Sequence, residues 1–296
     1  MKPSIKYTSC LLLFALSLGA TSGKAQIFNP QDLKLISSDF AFTEGPAVNK
    51  KGEIYFTDQP NDKIWKYGTD GQLSLYMDKT GRSNGLYFDK KGNLIACADE
   101  KNELWSIDKN KKVTVLITDL DGKKLNGPND LWMDKQGGIY FTDPYYQRDY
   151  WARKKPEIEK QNVYYIPAGK KKKIQLALDD LKQPNGIVGT PDGKYLYVSD
   201  LGAQKTYRYT IAEGKLTEKK LMFEKGSDGM TLDNQGNIYI SGNGVTVYNS
   251  EGTQIAHIPL KGWTGNVCFG GKNRSDLFIT SSKSVYTIPT TVKGVE

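Results

Sequence analysis

Residues 125–146 read LNGPNDLWMDKQGGIYFTDPYY, and this stretch decides the fold. A polar pair, Asn129-Asp130, follows a Gly-Pro. It is followed by an apolar triplet, a Lys-Gln-Gly-Gly turn and a second apolar run that ends at Asp143. Two short runs of strand-forming residues around a glycine turn predict a β-hairpin with polar groups at both ends.

The same pattern recurs along the chain. Each copy opens with a polar residue, and the six openings are Glu44, Asn84, Asn129, Asn185, Asp228 and Asn266. By subtraction they are 40, 45, 56, 43 and 38 residues apart. A period of about 40 to 45 residues with two hairpins per repeat is typical of a β-propeller blade. We therefore predict an all-β, six-bladed β-propeller in preference to an irregular β-sandwich with regular turns.

The two ends of the repeat array are expected to meet. The sixth repeat has a third strand at residues 284–288 but no strong fourth strand, and residues 33–37 can supply it. Such closure removes the exposed edges that an open sheet would carry. Cys97 and Cys268 lie in apolar runs of the second and sixth repeats, so we expect buried free thiols.

Residues 1–25 have the features of a secretory signal peptide. Lys2 and Lys6 precede an apolar run at residues 11–20, and Gly23 and Ala25 stand at −3 and −1 of a cleavage site. The apolar run is too short for a membrane-spanning helix. We therefore expect residues 26–296 to form one exported domain, periplasmic or secreted, with no membrane span after cleavage.

The charge balance favours no nucleic-acid partner. Without the three lysines of the leader, 38 of the 41 basic residues remain against 33 acidic ones. The basic clusters at residues 153–155 and 170–173 are interpreted as solvated loops, because lysine runs in turns rarely form polyanion sites. None of these patterns defines the oligomeric state.

A ring of repeats brings the opening residues to one end of its axis. Glu44, Asn129, Asn185 and Asp228 then supply two carboxylates and two amide oxygens. That set suits a hard divalent cation, Ca²⁺ first and Mg²⁺ or Mn²⁺ next, and disfavours Zn²⁺. Asn-Gly and Asp-Gly are also ordinary turn pairs, and for Asn84 that alternative stays open. A glutamate before Gly-Pro has no such turn preference.

Other catalytic devices are poorly represented. The single histidine, His257, stands outside the repeat openings and is interpreted as a fourth-strand residue. A Ser-His-Asp triad would need that histidine, and no Gly-x-Ser-x-Gly elbow is present.

The third repeat is longer than the others because of residues 145–161, YYQRDYWARKKPEIEKQ. This segment is either a wall of a binding site or a solvated excursion.

Several motifs together resemble the SMP-30/gluconolactonase/luciferin-regenerating-enzyme family. The resemblance covers essentially all of residues 26–296 and is closest to microbial gluconolactonases. It implies a six-bladed propeller with one catalytic divalent metal in the central channel. The motifs are Glu44-Gly-Pro, Asn84-Gly-Leu, Asn129-Asp with Phe141-Thr-Asp-Pro-Tyr, Pro184-Asn185-Gly and Ser227-Asp228-Gly-Met.

The resemblance also implies roles for individual residues. Glu44, Asn185 and Asp228 match the metal ligands, and Asn129 matches a further ligand or a substrate contact. The animal members have an arginine two residues before the equivalent of Asn129. Here that position is Gly127, so the sugar contacts of that arginine cannot be carried over.

The implied reaction is the hydrolysis of a sugar lactone. The metal polarises the lactone carbonyl, and Asp228 accepts a proton from the attacking water. Asn84, Asn129, Asp143 and Tyr145 are the implied substrate contacts. Two alternatives remain: hydrolysis of another ester or phosphorus ester at the same metal, or a non-enzymatic ligand-binding propeller with a structural metal.

Overall fold

The structure is a computed structural model that describes residues 26–169 and 173–296. The predicted signal peptide, residues 1–25, lies outside the described residues, as do residues 170–172 of the second lysine cluster. Within the two described ranges, no helix has the length and apolar character needed to cross a membrane.

The regular secondary structure of the described chain is almost entirely β-strand, which confirms the all-β prediction. Within it, helix is confined to two 3₁₀ turns, Pro30–Asp32 and Gln59–Asn61. The strands, in chain order, are β1 Lys34–Ser37, β2 Thr43–Val48, β3 Ile54–Asp58, β4 Lys63–Tyr67, β5 Leu73–Asp78, β6 Ser83–Phe88, β7 Leu94–Ala98, β8 Glu103–Ile107, β9 Val113–Ile117, β10 Leu131–Met133, β11 Ile139–Asp143, β12 Asn162–Ile166, β13 Gln175–Leu178, β14 Pro184–Gly189, β15 Tyr195–Asp200, β16 Lys205–Ala212, β17 Lys215–Phe223, β18 Met230–Leu232, β19 Ile238–Tyr248, β20 Gln254–Gly270, β21 Asp276–Ser281 and β22 Ser284–Pro289.

The strands form antiparallel sheets of sequence neighbours. Four sheets contain four consecutive strands each: β2 to β5, β6 to β9, β10 to β13 and β14 to β17. The remaining sheet has the order β1-β22-β21-β20-β19-β18. Within β20, residues 254–258 pair with β19 and residues 264–270 pair with β21, so the pairing partner changes inside this long strand. Sheets of four consecutive antiparallel strands are the building unit of a β-propeller.

The first strands of successive sheets contact one another in a closed ring. The contacts run from β2 to β6, β10, β14, β18 and β20, and β20 contacts β2 again. At the outside, β1 pairs with β22, with Leu35 opposite Tyr286. This pairing confirms that the segment ahead of the first repeat completes the last sheet.

Burial follows the position of a strand within its sheet. The second strands β3 and β11 both read IYFTD and are buried along their whole length, because neighbouring sheets cover both faces. Outermost strands such as β5 are partly exposed. Cys97 and Cys268 are fully buried and form no disulfide among the described residues, which confirms the free-thiol prediction.

The recurring turn after each first strand has a common physical cause. In the second sheet, Asp89 Oδ1 accepts hydrogen bonds from the backbone amides of Lys91 and Asn93, both at 2.8 Å. This side-chain bond closes the turn before the second strand begins. The same pair of bonds is made by Asn49, Asp134 and Asp233 in their turns.

The glycine after an opening residue permits close approach of the next sheet. Gly85 lies inside β6, its N–H donates to Asn129 O at 2.7 Å, and a Cβ there would lie 2.5 Å from the same oxygen. Asn84 therefore belongs to a strand, and the turn-pair interpretation of Asn84-Gly85 is wrong. The neighbouring sheet, and not a turn, requires this glycine.

Replacing Gly85 with Ala should destabilise the ring. The added methyl group meets backbone atoms, which cannot rotate away, so we expect a loss of about 1–3 kcal/mol in the free energy of unfolding. Urea denaturation followed by tryptophan fluorescence measures this loss. An unchanged unfolding midpoint would contradict the close approach of β6 and the segment at Asn129.

Candidate active site

The ring brings five opening side chains to a buried rim. Glu44, Asn84 and Asn185 lie inside the inner strands β2, β6 and β14, whereas Asn129 and Asp228 stand two residues before β10 and β18. All five are less than a tenth exposed. Burial of so many polar groups is costly unless they find partners.

Two of these residues are carboxylates that lie close to each other. Burial, and next to it the negative charge of Asp228, raises the pKa of Glu44 well above its ordinary value. Burial also raises the pKa of Asp228 to about 6, although hydrogen bonds from Trp263 and Asn185 oppose the shift. Two buried carboxylates ionise together only if positive charge balances them.

Amide oxygens complete an all-oxygen set. Asn185 Nδ2 donates to the Tyr146 hydroxyl at 3.0 Å, which orients the amide. The Oδ1 atoms of Asn185 and Asn84 are buried and accept no hydrogen bond from the described residues. A hard divalent cation would satisfy such oxygens and neutralise the two carboxylates, so these residues fit the predicted group.

The donor set depends on amides because carboxylates are few. Among the described residues, no three His, Cys, Asp or Glu side chains cluster as a metal site would require. Asn129 lies next to Asn84 around the ring, since its backbone carbonyl holds Gly85. Its role as ligand or substrate contact stays a prediction.

Asp143 is placed differently from the substrate contact that the resemblance implied. Its two carboxylate oxygens accept the backbone amides of Asn126 and Gly127 at 2.9 and 2.8 Å, and the side chain is fully buried. Asp58 and Asp200, which end the second strands of two other sheets, make the same pair of bonds. Asp143 is therefore a positioning residue that holds the segment leading to Asn129.

Tyr145 packs within its own loop. Its hydroxyl donates to Gln147 Oε1 at 2.5 Å, and its ring lies 5.8 Å from that of Trp151. Its backbone N–H donates to Gln161 Oε1 at 2.8 Å, which ties the start of segment 145–161 to its end. A substrate contact by Tyr145 stays a prediction.

Three residues near the carboxylates were not predicted from the sequence. Trp263 Nε1 donates to Asp228 Oδ2, and the Trp263 residue remains 43% exposed. Tyr146 bonds Asn185, and the positive charge of Arg148 opposes the raised pKa of both Glu44 and Asp228. The unusual aromatic and basic content of segment 145–161 was the only signal for Tyr146 and Arg148, and no repeat pattern marked Trp263.

The structure explains why position 127 carries no side chain. A Cβ on Gly127 would lie 2.8 Å from Asp99 Oδ1 and 3.0 Å from the Trp151 ring. The space beside the rim is thus filled by Asp99 and Trp151. An arginine at this position would not fit here.

His257 is a strand residue, as predicted. It lies on β20 opposite Thr246 of β19, and its Nδ1 is 3.1 Å from Thr246 Oγ1. Because it is the single histidine of the sequence, the inner rim has none.

Comparisons with known proteins identify the family and the fold. The family model described as SMP-30/Gluconolactonase/LRE-like region matches residues 42–283. A gluconolactonase of Zymomonas mobilis is 28% identical, covering 93% of this chain and 88% of that protein. The solved structure of a gluconolactonase from Xanthomonas campestris has a TM-score of 0.81 at 27% identity, covering 87% of this chain and 89% of that one.

A more distant structure shows the fold alone. The calcium-binding protein regucalcin of Agrobacterium tumefaciens has a TM-score of 0.72 at 19% identity, covering 88% of this chain and 94% of that one. The described chain therefore shares its β architecture with a gluconolactonase and with a calcium-binding protein.

The role of Asp143 can be tested by its replacement with Asn. One oxygen then serves two buried amides, so we expect a loss of about 1–3 kcal/mol in the free energy of unfolding. Denaturant unfolding measures the loss. Asp179→Asn is the matched control, because Asp179 is 48% exposed and pairs with the exposed Lys160. Unchanged stability with a raised KM for substrate would instead favour a substrate contact.

Proposed function

Because the chain belongs to the SMP-30/gluconolactonase/LRE-like family, we propose that it is a gluconolactonase-like carboxylic ester hydrolase that opens a sugar lactone at the buried rim. The observation that carries the proposal is the pair Glu44 and Asp228, buried together beside two amide oxygens that accept no hydrogen bond from the described residues. We infer further that the sheets form a six-bladed propeller. The closed ring of inner strands supports this count.

The proposed cofactor is one divalent cation held by Glu44, Asn185 and Asp228, with Asn129 or Asn84 as a further donor. Oxygen donors favour Ca²⁺ first and Mg²⁺ or Mn²⁺ next, and disfavour Zn²⁺ because the rim has no histidine or cysteine. When bound, such a cation supplies a Lewis acid that polarises the lactone carbonyl.

Asp228 is the proposed base. Trp263 holds its Oδ2 by a hydrogen bond and so fixes the plane of the carboxylate. A carboxylate accepts about four hydrogen bonds, so a proton of the attacking water still finds an acceptor on Asp228. Without a bound cation, burial raises the pKa of Asp228 to about 6. A cation bound beside it would lower this pKa again and keep the carboxylate ionised, so that it can accept a proton.

The proposed reaction balances with one water. The water oxygen bonds to the carbonyl carbon while its proton passes to Asp228. The ring C–O bond then breaks, and Asp228 returns the proton to the departing ring oxygen. The product is the open hydroxy acid. In this proposal, Asn84 and Asn129 orient substrate hydroxyls or the water.

Two other functions have less support. A phosphorus-ester hydrolase that needs a histidine at the rim is disfavoured, because His257 lies on β20 with Thr246. A ligand-binding propeller with a structural metal is disfavoured, because four protein donors are fewer than the roughly six to eight oxygens that Ca²⁺ takes, so water or a substrate could complete the set. The absence of nucleic-acid partners stays a prediction.

The different roles proposed for Glu44 and Asp228, metal ligand and base, can be tested by substitution. Glu44→Gln removes one charge and keeps the shape, so Ca²⁺ affinity measured by calorimetry should fall, and excess Ca²⁺ should partly restore lactone hydrolysis. Asp228→Asn should lower turnover about 10²–10⁴-fold, with no recovery in excess Ca²⁺, because the base is lost. Asp179→Asn controls for loss of an exposed charge.

Two results would contradict these assignments. Normal Ca²⁺ binding by Glu44→Gln would remove Glu44 from the ligand set. Turnover of glucono-lactone by the metal-loaded protein no faster than spontaneous hydrolysis, measured by acid release and repeated on other lactones, would exclude the lactonase.

Export is also proposed. The leader at residues 1–25 supports cleavage before Gln26, which would place residues 26–296 in the periplasm or medium. Expression of the full gene in a Gram-negative host, followed by mass spectrometry of the periplasmic fraction, should find Gln26 at the amino terminus. An uncleaved chain that starts at Met1 in the cytosol would contradict export.

A further inference from the structure

Asp99 departs from the role of its equivalents in other sheets. Asp58, Asp143 and Asp200 each bind two backbone amides of the segment that leads into their own sheet. Asp99 follows β7 at the corresponding place, but the amide of Arg82 donates instead to Asp62 Oδ1 at 2.7 Å. The Asp99 carboxylate therefore does not bind the backbone amides that its equivalents bind in other sheets.

The Asp99 carboxylate binds the loop 145–161. Asp99 Oδ2 accepts Arg148 Nε at 3.0 Å, Gln59 Nε2 at 3.3 Å and the Tyr150 hydroxyl. Asp99 is almost fully buried, whereas the Arg148 side chain is 25% exposed. Arg148 is thus anchored through its Nε, and no described residue accepts a hydrogen bond from its two Nη groups.

Arg148 lies at the rim that holds the carboxylates. Its guanidinium carbon is 5.7 Å from the centre of the Tyr146 ring, and the Tyr146 hydroxyl contacts Asn185 at 3.0 Å. Its positive charge also opposes the raised pKa of Glu44 and of Asp228. The Nη groups are therefore close to where a substrate of the proposed reaction would bind.

The loop does not need Arg148 for its own anchoring. The Tyr150 hydroxyl binds the same carboxylate, and Trp151 Nε1 donates to Asp99 O at 2.9 Å. Within the loop, Gln147 Nε2 donates to Arg153 O at 3.0 Å. The guanidinium of Arg148 is held at Nε, so its two Nη groups are available for a ligand.

We propose that Arg148 is a specificity-determining residue that binds two hydroxyl oxygens of a neutral, polyhydroxylated lactone, and that Asp99 is its positioning residue. The proposal rests on the proposed lactonase function and adds the residue that selects for hydroxyl groups on the lactone. A guanidinium presents parallel N–H groups at a fixed spacing, which matches two acceptor oxygens on adjacent carbons.

The charge balance favours a neutral substrate. Asp99 compensates the charge of Arg148, and a divalent cation would compensate Glu44 and Asp228. The rim then has no excess positive charge to attract an anion. Hydroxyl groups, which accept hydrogen bonds without a charge, suit this environment.

The test compares two lactones with the same ring. D-glucono-δ-lactone carries hydroxyl groups, and δ-valerolactone carries none. For Arg148→Gln, loaded with the same divalent cation as wild type, we expect kcat/KM to fall about 10- to 100-fold on the glucono-lactone, as for a lost charged hydrogen bond. On δ-valerolactone we expect a change of about twofold at most. Asp99→Asn should shift the same selectivity ratio in the same direction.

A matched control isolates the effect of position. Arg208→Gln makes the same chemical change on β16, where the guanidinium lies over Tyr195 at 4.3 Å. It should leave both lactones unaffected. Equal losses on both lactones for Arg148→Gln would show a structural role and overturn the proposal. An Arg148→Gln variant with no loss on either lactone would overturn it too.

Binding of product acids separates this proposal from the lactonase proposal. Calorimetry with gluconate and with 5-hydroxyvalerate, which share the carboxylate, needs no turnover. We expect wild type to bind gluconate more tightly, and Arg148→Gln to lose that preference. If no lactone is hydrolysed, but wild type prefers gluconate and Arg148→Gln does not, the lactonase proposal is wrong and the specificity role of Arg148 is supported. If wild type shows no preference for gluconate, the assignment falls.

Discussion

Close contact between neighbouring inner strands is the constraint on which the rest of the structure depends. Gly85 has room for no side chain because the backbone at Asn129 lies against it, and Gly45 meets the backbone of Asn84 in the same way. Each opening residue is consequently held in place by the next sheet. Glu44 and Asp228 cannot move apart to relieve their repulsion. Such fixed, buried charge is tolerated only with a compensating cation, so the packing of the ring and the chemistry of the rim are linked.

Repetition determined how much could be predicted from the sequence. The strands, the pairing of β1 with β22 and the burial of Glu44, Asn185 and Asp228 in the inner ring all follow from the period and from a position within it. Arg148 has no counterpart in another repeat, so no pattern could place it. Trp263 precedes its repeat opening by three residues and lies where β20 changes its pairing partner from β19 to β21, a place that no repeat pattern marks.

Comparison of a repeat protein with itself distinguishes scaffold from site. Asp143 belongs to a motif that suggested a substrate contact, yet Asp58 and Asp200 also bind backbone amides at the corresponding place in two other sheets. Its presence in the motif reflects folding. Asp99 occupies the equivalent place, but its carboxylate binds the Arg148 side chain instead of backbone amides. In such an architecture, a departure from the repeat indicates function better than agreement with it.

The pairing of β1 with β22 has a consequence for how the chain folds. Leu35 finds Tyr286 only after almost the whole chain has been synthesised, so the last sheet keeps an open edge until then. Closing so long a loop is entropically costly, although the cost grows only with the logarithm of its length. Non-local pairings of this kind slow folding and leave strand edges available to other chains in the meantime. A chain that crosses a membrane before it folds would postpone this step until both ends are on the same side.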